Sequence, residues 1–330
     1  VLALVTGASG FVGSHLVAAL IAAGWRVRRL ARPASPPAPD ARVESRVAPP
    51  DDARAIARSG ALADVDVVFH VAGVTRAHSA ARFAAGNVAP TRALLDAIGE
   101  ARGGALPRGV LVSSQAAAGA AAAPDRPRTE DDPPAPVGAY GASKRAAEEV
   151  VAAHAAGGAR WTVVRPCAVF GARDRDFLPL FRQATRGVAL LPGTRDAWLS
   201  LVHAPDLARA LVLAGTAPGA AGRTYFVAGE EAVPWPAVAA AVARAAGAQL
   251  RLVADAPRWA LTLAGAAGDL WSAATGRDAL AGREKLALAR PRYWCCSAAR
   301  ARAELGWTPA LGLDEAVAAT YAWYREAGWM

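Results

Sequence analysis

The chain has 330 residues and a mass of 33.8 kDa, room for one large α/β domain with a smaller lobe. Its 54% hydrophobic and 20% charged residues supply a sizeable core and exclude long disordered regions. The net charge of +9 is scattered, almost all of it arginine, and forms no basic block for nucleic acid; three cysteines without metal or CxxC spacing exclude a disulfide framework and a metal site.

Val1 to Val5 is an apolar run of strand length, followed by Thr6-Gly7-Ala8-Ser9-Gly10-Phe11-Val12-Gly13. Phe11 to Ala23 reads as a helix closed by Gly24. Arg26 to Ala31 is a second strand and Pro33 to Pro39 a loop. Val65 to Val71 is a buried strand, Ala80 to Ala101 a long helix, Val110 to Ser113 a strand, Gly138 to Ala156 a helix and Trp161 to Arg165 a strand. Apolar strands alternating with helices predict an α/β fold, a Rossmann-type doubly wound parallel sheet. After Gly171 turn residues and short helices increase, and six of the ten Trp lie beyond position 250. The strand Trp198 to His203 and the helix after Asp206 are expected to return to the first domain. The division is then 1–171 plus about 198–227 for a dinucleotide-binding domain, and 172–197 with about 228–330 for a smaller, mainly helical substrate lobe. The longest apolar stretch, Trp259 to Gly268, is too short to span a bilayer and is expected to be a buried helix. No basic leader with a cleavage site is visible, so a cytoplasmic location is expected.

Three motifs carry chemistry. A strand, then Gly7-x-x-Gly10-x-x-Gly13, then a helix predicts a pyrophosphate held by Gly7, Ser9, Gly10, Phe11, Val12 and Gly13 against unpaired helix N–H groups. At the end of the second strand Ala31 stands where NAD-preferring folds place an acid, and Arg32 follows. This favours NADP(H), with NAD(H) possible; Arg28 and Arg29 are alternatives to Arg32 for the 2′-phosphate. Tyr140 and Lys144 lie one helical turn apart, and Lys144 is one of only two lysines in the chain. An ammonium beside a phenol lowers its pKa toward the range useful for proton transfer. Ser114, at the carboxyl end of the strand 110–113, faces the crevice where such folds bind ligands.

Together these motifs resemble the extended short-chain dehydrogenase/reductase family, nearest to the 3β-hydroxysteroid dehydrogenase and dihydroflavonol reductase branch. Further matches are His70-Val71-Ala72-Gly73, Asn87-Val88-Ala89-Pro90-Thr91 with Pro90 where Gly is usual, Arg165-Pro166-Cys167-Ala168-Val169-Phe170-Gly171, and Leu201-Val202-His203-Ala204-Pro205-Asp206. The resemblance implies cofactor contacts from Ala72, Gly73, Pro166 and Val169, and a catalytic trio of Ser114, Tyr140 and Lys144. Lys144 would also hold the nicotinamide ribose, and Asn87 would make a local hydrogen bond near the cofactor or a proton-relay water. Val47-Ala48-Pro49-Pro50 replaces the acid that often meets adenine, so adenine contact stays open. His203 and Asp206 are expected to shape a strand–helix join, and Glu130-Asp131-Asp132 to form a solvated loop.

Gln115-Ala116 after Ser114 lacks the Asp-Glu pair of sugar-nucleotide dehydratases. Cys167-Ala168 stands where epimerases commonly carry Asn, so a sugar diphosphate would fall to Arg173, Arg182 or Arg195. The expected reaction interconverts a secondary alcohol and a ketone on a fairly apolar small molecule, with Tyr140 as acid/base. A nucleotide-sugar epimerase and a non-catalytic dinucleotide sensor are the alternatives. Arg76, Cys167, Phe177 and Trp198 are candidate pocket residues. The resemblance also implies a homodimer formed through the Tyr140/Lys144 helix; the scattered charge and the short apolar stretches predict no nucleic-acid partner and no transmembrane segment.

Overall fold

A computed structural model describes residues 1–35, 37–38, 40–101, 107–155, 158, 160–191, 194–275 and 282–330. The chain runs β1 Leu2–Thr6, α1 Phe11–Ala22, β2 Arg26–Ala31, β3 Val43–Val47, α2 Ala53–Arg58, β4 Val67–His70, α3 Ala80–Ala101, β5 Arg108–Val112, α4 Gln115–Ala118, α5 Gly138–Ala155 and β6 Arg160–Pro166. It continues β7 Ala168–Phe170, α6 Leu178–Ala184, β8 Val188–Leu191, β9 Trp198–Leu199, β10 Leu201–His203, α7 Ala204–Thr216, β11 Thr224–Val227, β12 Val233–Pro234 and α8 Trp235–Ala245. The last elements are β13 Leu252–Asp255, α9 Arg258–Thr275, α10 Arg283–Ala289, β14 Tyr293–Trp294, α11 Ala299–Leu305 and α12 Leu313–Glu326. Ala156, the predicted end of the fifth helix, and Pro36 and Pro39 of the proline-rich loop lie outside the described residues.

Seven parallel strands form the central sheet in the order β11-β6-β5-β4-β1-β2-β3, the doubly wound arrangement the alternation predicted. Strand side chains alternate between faces. Ala3 and Val5 of β1 therefore join one core with Leu16 and Leu20 of α1 and Leu207 and Leu211 of α7. Leu2 and Leu4 join another with Ile56 of α2, Leu94 and Ile98 of α3, and Val150 and Val151 of α5. Each fully buried leucine contributes about 1.5–3 kcal/mol of burial energy. The winding direction reverses between β1 and β4, so the connections leaving their carboxyl ends run to opposite sides, the place where such folds form a ligand crevice.

Two expectations are corrected. Trp198 to His203 is not one strand. Ser200 breaks it: its N–H donates to Trp294 O at 2.8 Å, and its hydroxyl accepts from Cys296 N at 3.1 Å. Strand β9 pairs with β12 and β14, while β10 pairs with β7. The seventh strand of the sheet is instead Thr224–Val227.

The stretch Trp259 to Gly268 is helical but not buried. Of α9's large apolar side chains, Trp259 is 68% exposed, Leu263 62%, Leu270 73% and Trp271 58%. The helix leans chiefly on α10, so much of its surface is uncovered. No helix among the described residues is long and apolar enough to cross a membrane.

Candidate active site

The turn between β1 and α1 is shaped by what it cannot hold. Gly7 has a φ of +70°, and a Cβ there would stand 2.7 Å from Ala72 N. A Cβ on Gly13 would stand 2.1 Å from Gly7 O, so the first turn of α1 lies directly on the loop. Gly10 N donates to Gly7 O at 3.0 Å, and no side chain caps the helix. The earliest intrahelical acceptor is Gly10 O, reached by Ser14 N at 2.9 Å, which leaves the amides of Phe11, Val12 and Gly13 as the usual orphan donors of a helix start. Side chains would fill this cradle, Ser9 beside it is exposed, and the donor set fits a pyrophosphate.

Beneath the cradle runs a buried polar chain. Thr6 Oγ1 accepts from Ala72 N at 3.1 Å and donates to His70 Nδ1 at 2.8 Å. His70 Nε2–H then donates to Thr91 Oγ1 at 3.0 Å, and Thr91 donates to Asn87 O at 2.6 Å. Only the Nε2–H tautomer lets every member donate in turn. Burial, aided by the charge of Lys144, drives the His70 pKa down to about 3, so the ring is neutral.

Asn87 is fully engaged. Its Oδ1 accepts from Val74 N at 2.7 Å, and its Nδ2 donates to Val74 O at 3.0 Å and Ser143 Oγ at 2.8 Å. It clamps the segment after β4 to α5. A Cβ on Gly73 would stand 2.9 Å from Asn87 Oδ1 and 3.4 Å from Lys144 Nζ, so Gly73 meets α5 at this point.

Ser114 caps α4, accepting from Ala116 N at 3.1 Å. Helix α5 sits on this turn because the residue after Tyr140 is glycine: a Cβ on Gly141 would lie 2.4 Å from Ala116 O. That approach brings the Tyr140 hydroxyl into a hydrogen bond with Ser114. The Tyr140 ring packs on Phe83 with centroids 5.8 Å apart.

The expected lowering of the Tyr140 pKa is not found. Burial raises it, the Asp176 carboxylate adds to the rise, and the Ser114 hydrogen bond opposes them. Lys144 has turned inward, its Nζ donating to Val112 O at 2.6 Å. Burial drives its own pKa down to about 8, against the pull of Glu148.

Glu148, which the motifs do not single out, lies one turn beyond Lys144. Its carboxylate accepts from Arg165 Nε at 2.9 Å and a terminal Arg165 nitrogen at 2.7 Å, from Ser113 Oγ at 2.5 Å and from Arg145 at 3.2 Å. Glu148 and Arg165 are both buried. Two charges of opposite sign, spaced for a helix and the strand beneath it, were the available signal; nothing in the sequence set this pair apart from its many neighbours.

The remaining predicted residues divide. Pro166 ends β6 at the carboxyl edge of the sheet, and Val169 follows in β7, which pairs with β10. Arg32 is exposed at the end of β2 and has no carboxylate partner among the described residues. Arg28 is committed elsewhere, to Glu44 at 2.8 Å and Ala63 O at 2.6 Å; Arg29 is buried against Ser45. Arg76 pairs with Asp176 next to Tyr140, and its buried Nε has no partner. Phe177 lies between Phe170 and Trp235. Cys167 is buried with its thiol against that of Cys296, and Trp198 belongs to the small sheet of β9, β12 and β14.

Of the three arginines considered for a sugar diphosphate, Arg182 donates to Trp329 O at 2.7 Å and Arg195 pairs with Asp255 at 3.5 Å. Asp206, expected to shape the strand–helix join, instead ties the start of α7 to the segment after α11, its carboxylate accepting from Ala310 N at 3.0 Å and its carbonyl from Trp307 Nε1 at 3.0 Å. Glu130, expected in solvent, instead turns inward to accept from Phe226 N at 2.7 Å. No His/Cys/Asp/Glu cluster able to hold a metal occurs among the described residues.

Comparison with known proteins agrees with this geometry. The profile of the NAD dependent epimerase/dehydratase family matches residues 3–228. Over 328 residues the chain is 32% identical to the ceramide reductase of Caulobacter vibrioides, covering 99% of this chain and 95% of the relative. It is 31% identical over 288 residues to a 3 beta-hydroxysteroid dehydrogenase/Delta 5-->4-isomerase of Mycobacterium tuberculosis, covering 78% of this chain and 74% of the relative. Among solved structures, MoeE5 in complex with UDP-glucose and NAD superposes with a TM-score of 0.76 at 26% identity, covering 98% of this chain and 99% of that one. The chain belongs to the NAD dependent epimerase/dehydratase family and is an NAD(P)-dependent enzyme of the extended short-chain dehydrogenase/reductase type.

Proposed function

We propose that this enzyme interconverts a secondary alcohol and a ketone on a fairly apolar small molecule, with Tyr140 as the acid/base. The observation that carries the proposal is the Tyr140–Ser114 pair at the carboxyl edge of the sheet, with the phenol held protonated by burial. In the reductive direction Tyr140 gives its proton to the carbonyl oxygen, and the Ser114 hydroxyl polarises that oxygen and then steadies the phenolate.

The cofactor assignments follow the same edge of the sheet. Gly7, Ser9, Gly10, Phe11, Val12 and Gly13 would hold the pyrophosphate, and Ala72 and Gly73 the adenosine side. Lys144 would hold the nicotinamide ribose, and Pro166 and Val169 would flank the nicotinamide. When bound, the nicotinamide supplies or accepts the hydride. Asn87 holds this assembly in place rather than moving protons, since both its amide groups are already engaged.

NADP(H) is the favoured cofactor because Arg32 is the exposed guanidinium at the end of β2. Replacing Arg32 by Ala should weaken NADPH about 10-fold or more and leave NADH within about 2-fold, measured by fluorescence titration. Equal losses for both would remove the assignment. Three unpaired thiols suit a reducing cytoplasm.

Support for an apolar substrate comes from the names of the two curated relatives, both oxidoreductases of lipid-like molecules. Arg182 and Arg195 are engaged with other groups, which leaves the exposed Arg173 alone of the three arginines considered for a sugar diphosphate and weighs against epimerisation. The deciding experiment supplies NADPH with long-chain and sterol ketones and follows net cofactor oxidation. Tyr140→Phe should lower kcat by about 100- to 10,000-fold while NADPH still binds. An unchanged rate in that variant would overturn the role of Tyr140, and cofactor recycling without net oxidation would favour an epimerase.

A further inference from the structure

An ordinary surface helix has a charged outer face. Helix α12 is one: Asp314, Glu315, Arg325 and Glu326 are all exposed. Helix α9 is different. At about 100° per residue, Trp259, Leu263 and Leu270 fall within about 40° of one another, with Trp271 on the flank. All four are more than half exposed. Ala267 and Ala274 continue the same face, and among the described side chains of α9 no exposed one is charged.

Two observations indicate what covers this face. In sequence the segment 251–292 is basic, with Arg251, Arg258, Arg277, Arg283, Lys285, Arg290 and Arg292 against Asp255, Asp269, Asp278 and Glu284. Arg251, Arg290 and Arg292 are exposed and have no carboxylate partner among the described residues. The surface also reaches α5: α9 packs on α10, and α10 packs on α5, the helix that carries Tyr140 and Lys144.

We propose that the exposed face of α9 docks the protein on an anionic lipid bilayer, beside its catalytic helix, so that an apolar substrate enters directly from the membrane. A helix of this kind lies in the interface with its tryptophans at headgroup depth and cationic side chains nearby. It binds as a surface element and does not span. The delivery role rests on the apolar-substrate reading above; the docking itself rests on α9.

The test uses the full chain in sedimentation with vesicles of phosphatidylcholine, or of phosphatidylcholine with phosphatidylglycerol. The parent should bind the anionic vesicles more strongly, and added salt should weaken that binding. A Trp259→Glu/Leu270→Glu variant should lose on the order of 10- to 100-fold in partition coefficient. Circular dichroism and NADPH binding verify that it is folded. Activity on a ketone in detergent micelles should match the parent, while activity on the same ketone in vesicles should fall.

Docking is overturned if the parent binds neither vesicle or if the variant binds as well as the parent. It is equally overturned if the parent is an oligomer that the variant splits into monomers, which would make the face a contact between copies. Turnover in micelles without vesicle binding removes docking and leaves the reaction standing. Vesicle binding without turnover of any ketone removes the reaction, and the delivery role with it.

Discussion

The end of the sheet beneath α5 and the outer face of α9 both reverse the usual placement of side chains, in opposite senses. The first buries Thr6, His70, Asn87, Lys144, Glu148 and Arg165. The second exposes Trp259, Leu263, Leu270 and Trp271. The buried groups are supported by hydrogen bonds inside the chain, each with named partners. The exposed groups have no comparable support. A buried polar group with every bond made is part of the protein's stability, whereas an uncovered apolar face points to something outside it.

Substitutions should separate the two regions, and the largest effect is expected at Glu148. Removing it as Glu148→Ala leaves Arg165 buried and unpaired and should cost about 3–5 kcal/mol in urea unfolding. A loss below about 1 kcal/mol would mean that Arg165 readily finds water.

Lys144 provides a test by pH. Its folded pKa of about 8 lies below its ordinary value of 10.5. Between those values the unfolded chain binds more protons, so the penalty for burying the ammonium is present in full below pH 8 and is relieved as pH rises. Relative to Lys144→Met, the parent should gain on the order of 3 kcal/mol across that window. Ketone reduction should change in the opposite direction, kcat falling above about pH 8 as the ammonium is lost. Stability and rate moving together would contradict this assignment.

Asn87→Ala should cost about 1–3 kcal/mol, because it leaves the Val74 N–H without its acceptor. It should also raise the KM for cofactor, measured by initial rates, as the segment carrying Ala72 and Gly73 loosens. At the far end of the scale, Trp259→Glu and Leu270→Glu should change stability by no more than about 0.5 kcal/mol. A loss of several kcal/mol there would show that α9 is covered within the protein and remove the contrast.

The two regions also differed in how far the sequence revealed them. The glycine loop and the Tyr140/Lys144 pair could be read because each is local: one turn of helix or one tight turn fixes the geometry. Gly141 could be quoted as part of the motif, but its reason appears only in the fold, where Ala116 O lies 2.4 Å from the place a Cβ would take. The Glu148–Arg165 pair joins a helix to a separate strand, and in an arginine-rich chain neither residue stands out. Strand β11 escaped notice for a similar reason. Its four residues carry no turn or period signal, and they become a strand through the free edge of β6. For α9 the apolar run correctly gave a helix, but composition cannot say what lies against it. Ser200 inside an apolar run, and Glu130 reaching back to Phe226, show long-range partners overriding local pattern in the same way.

The lateness of β11 has a consequence for the order in which the molecule can be made. A ribosome has delivered Tyr140, Lys144, Glu148 and finally Arg165 about 60 residues before it reaches Phe226, whose ring lies 5.7 Å from the Arg165 guanidinium carbon. Until then β6 is an open edge able to pair with another chain. The nascent protein therefore carries Ser114, Tyr140 and Lys144 while its sheet is still unfinished, and this interval is when a chaperone or slow elongation would matter most.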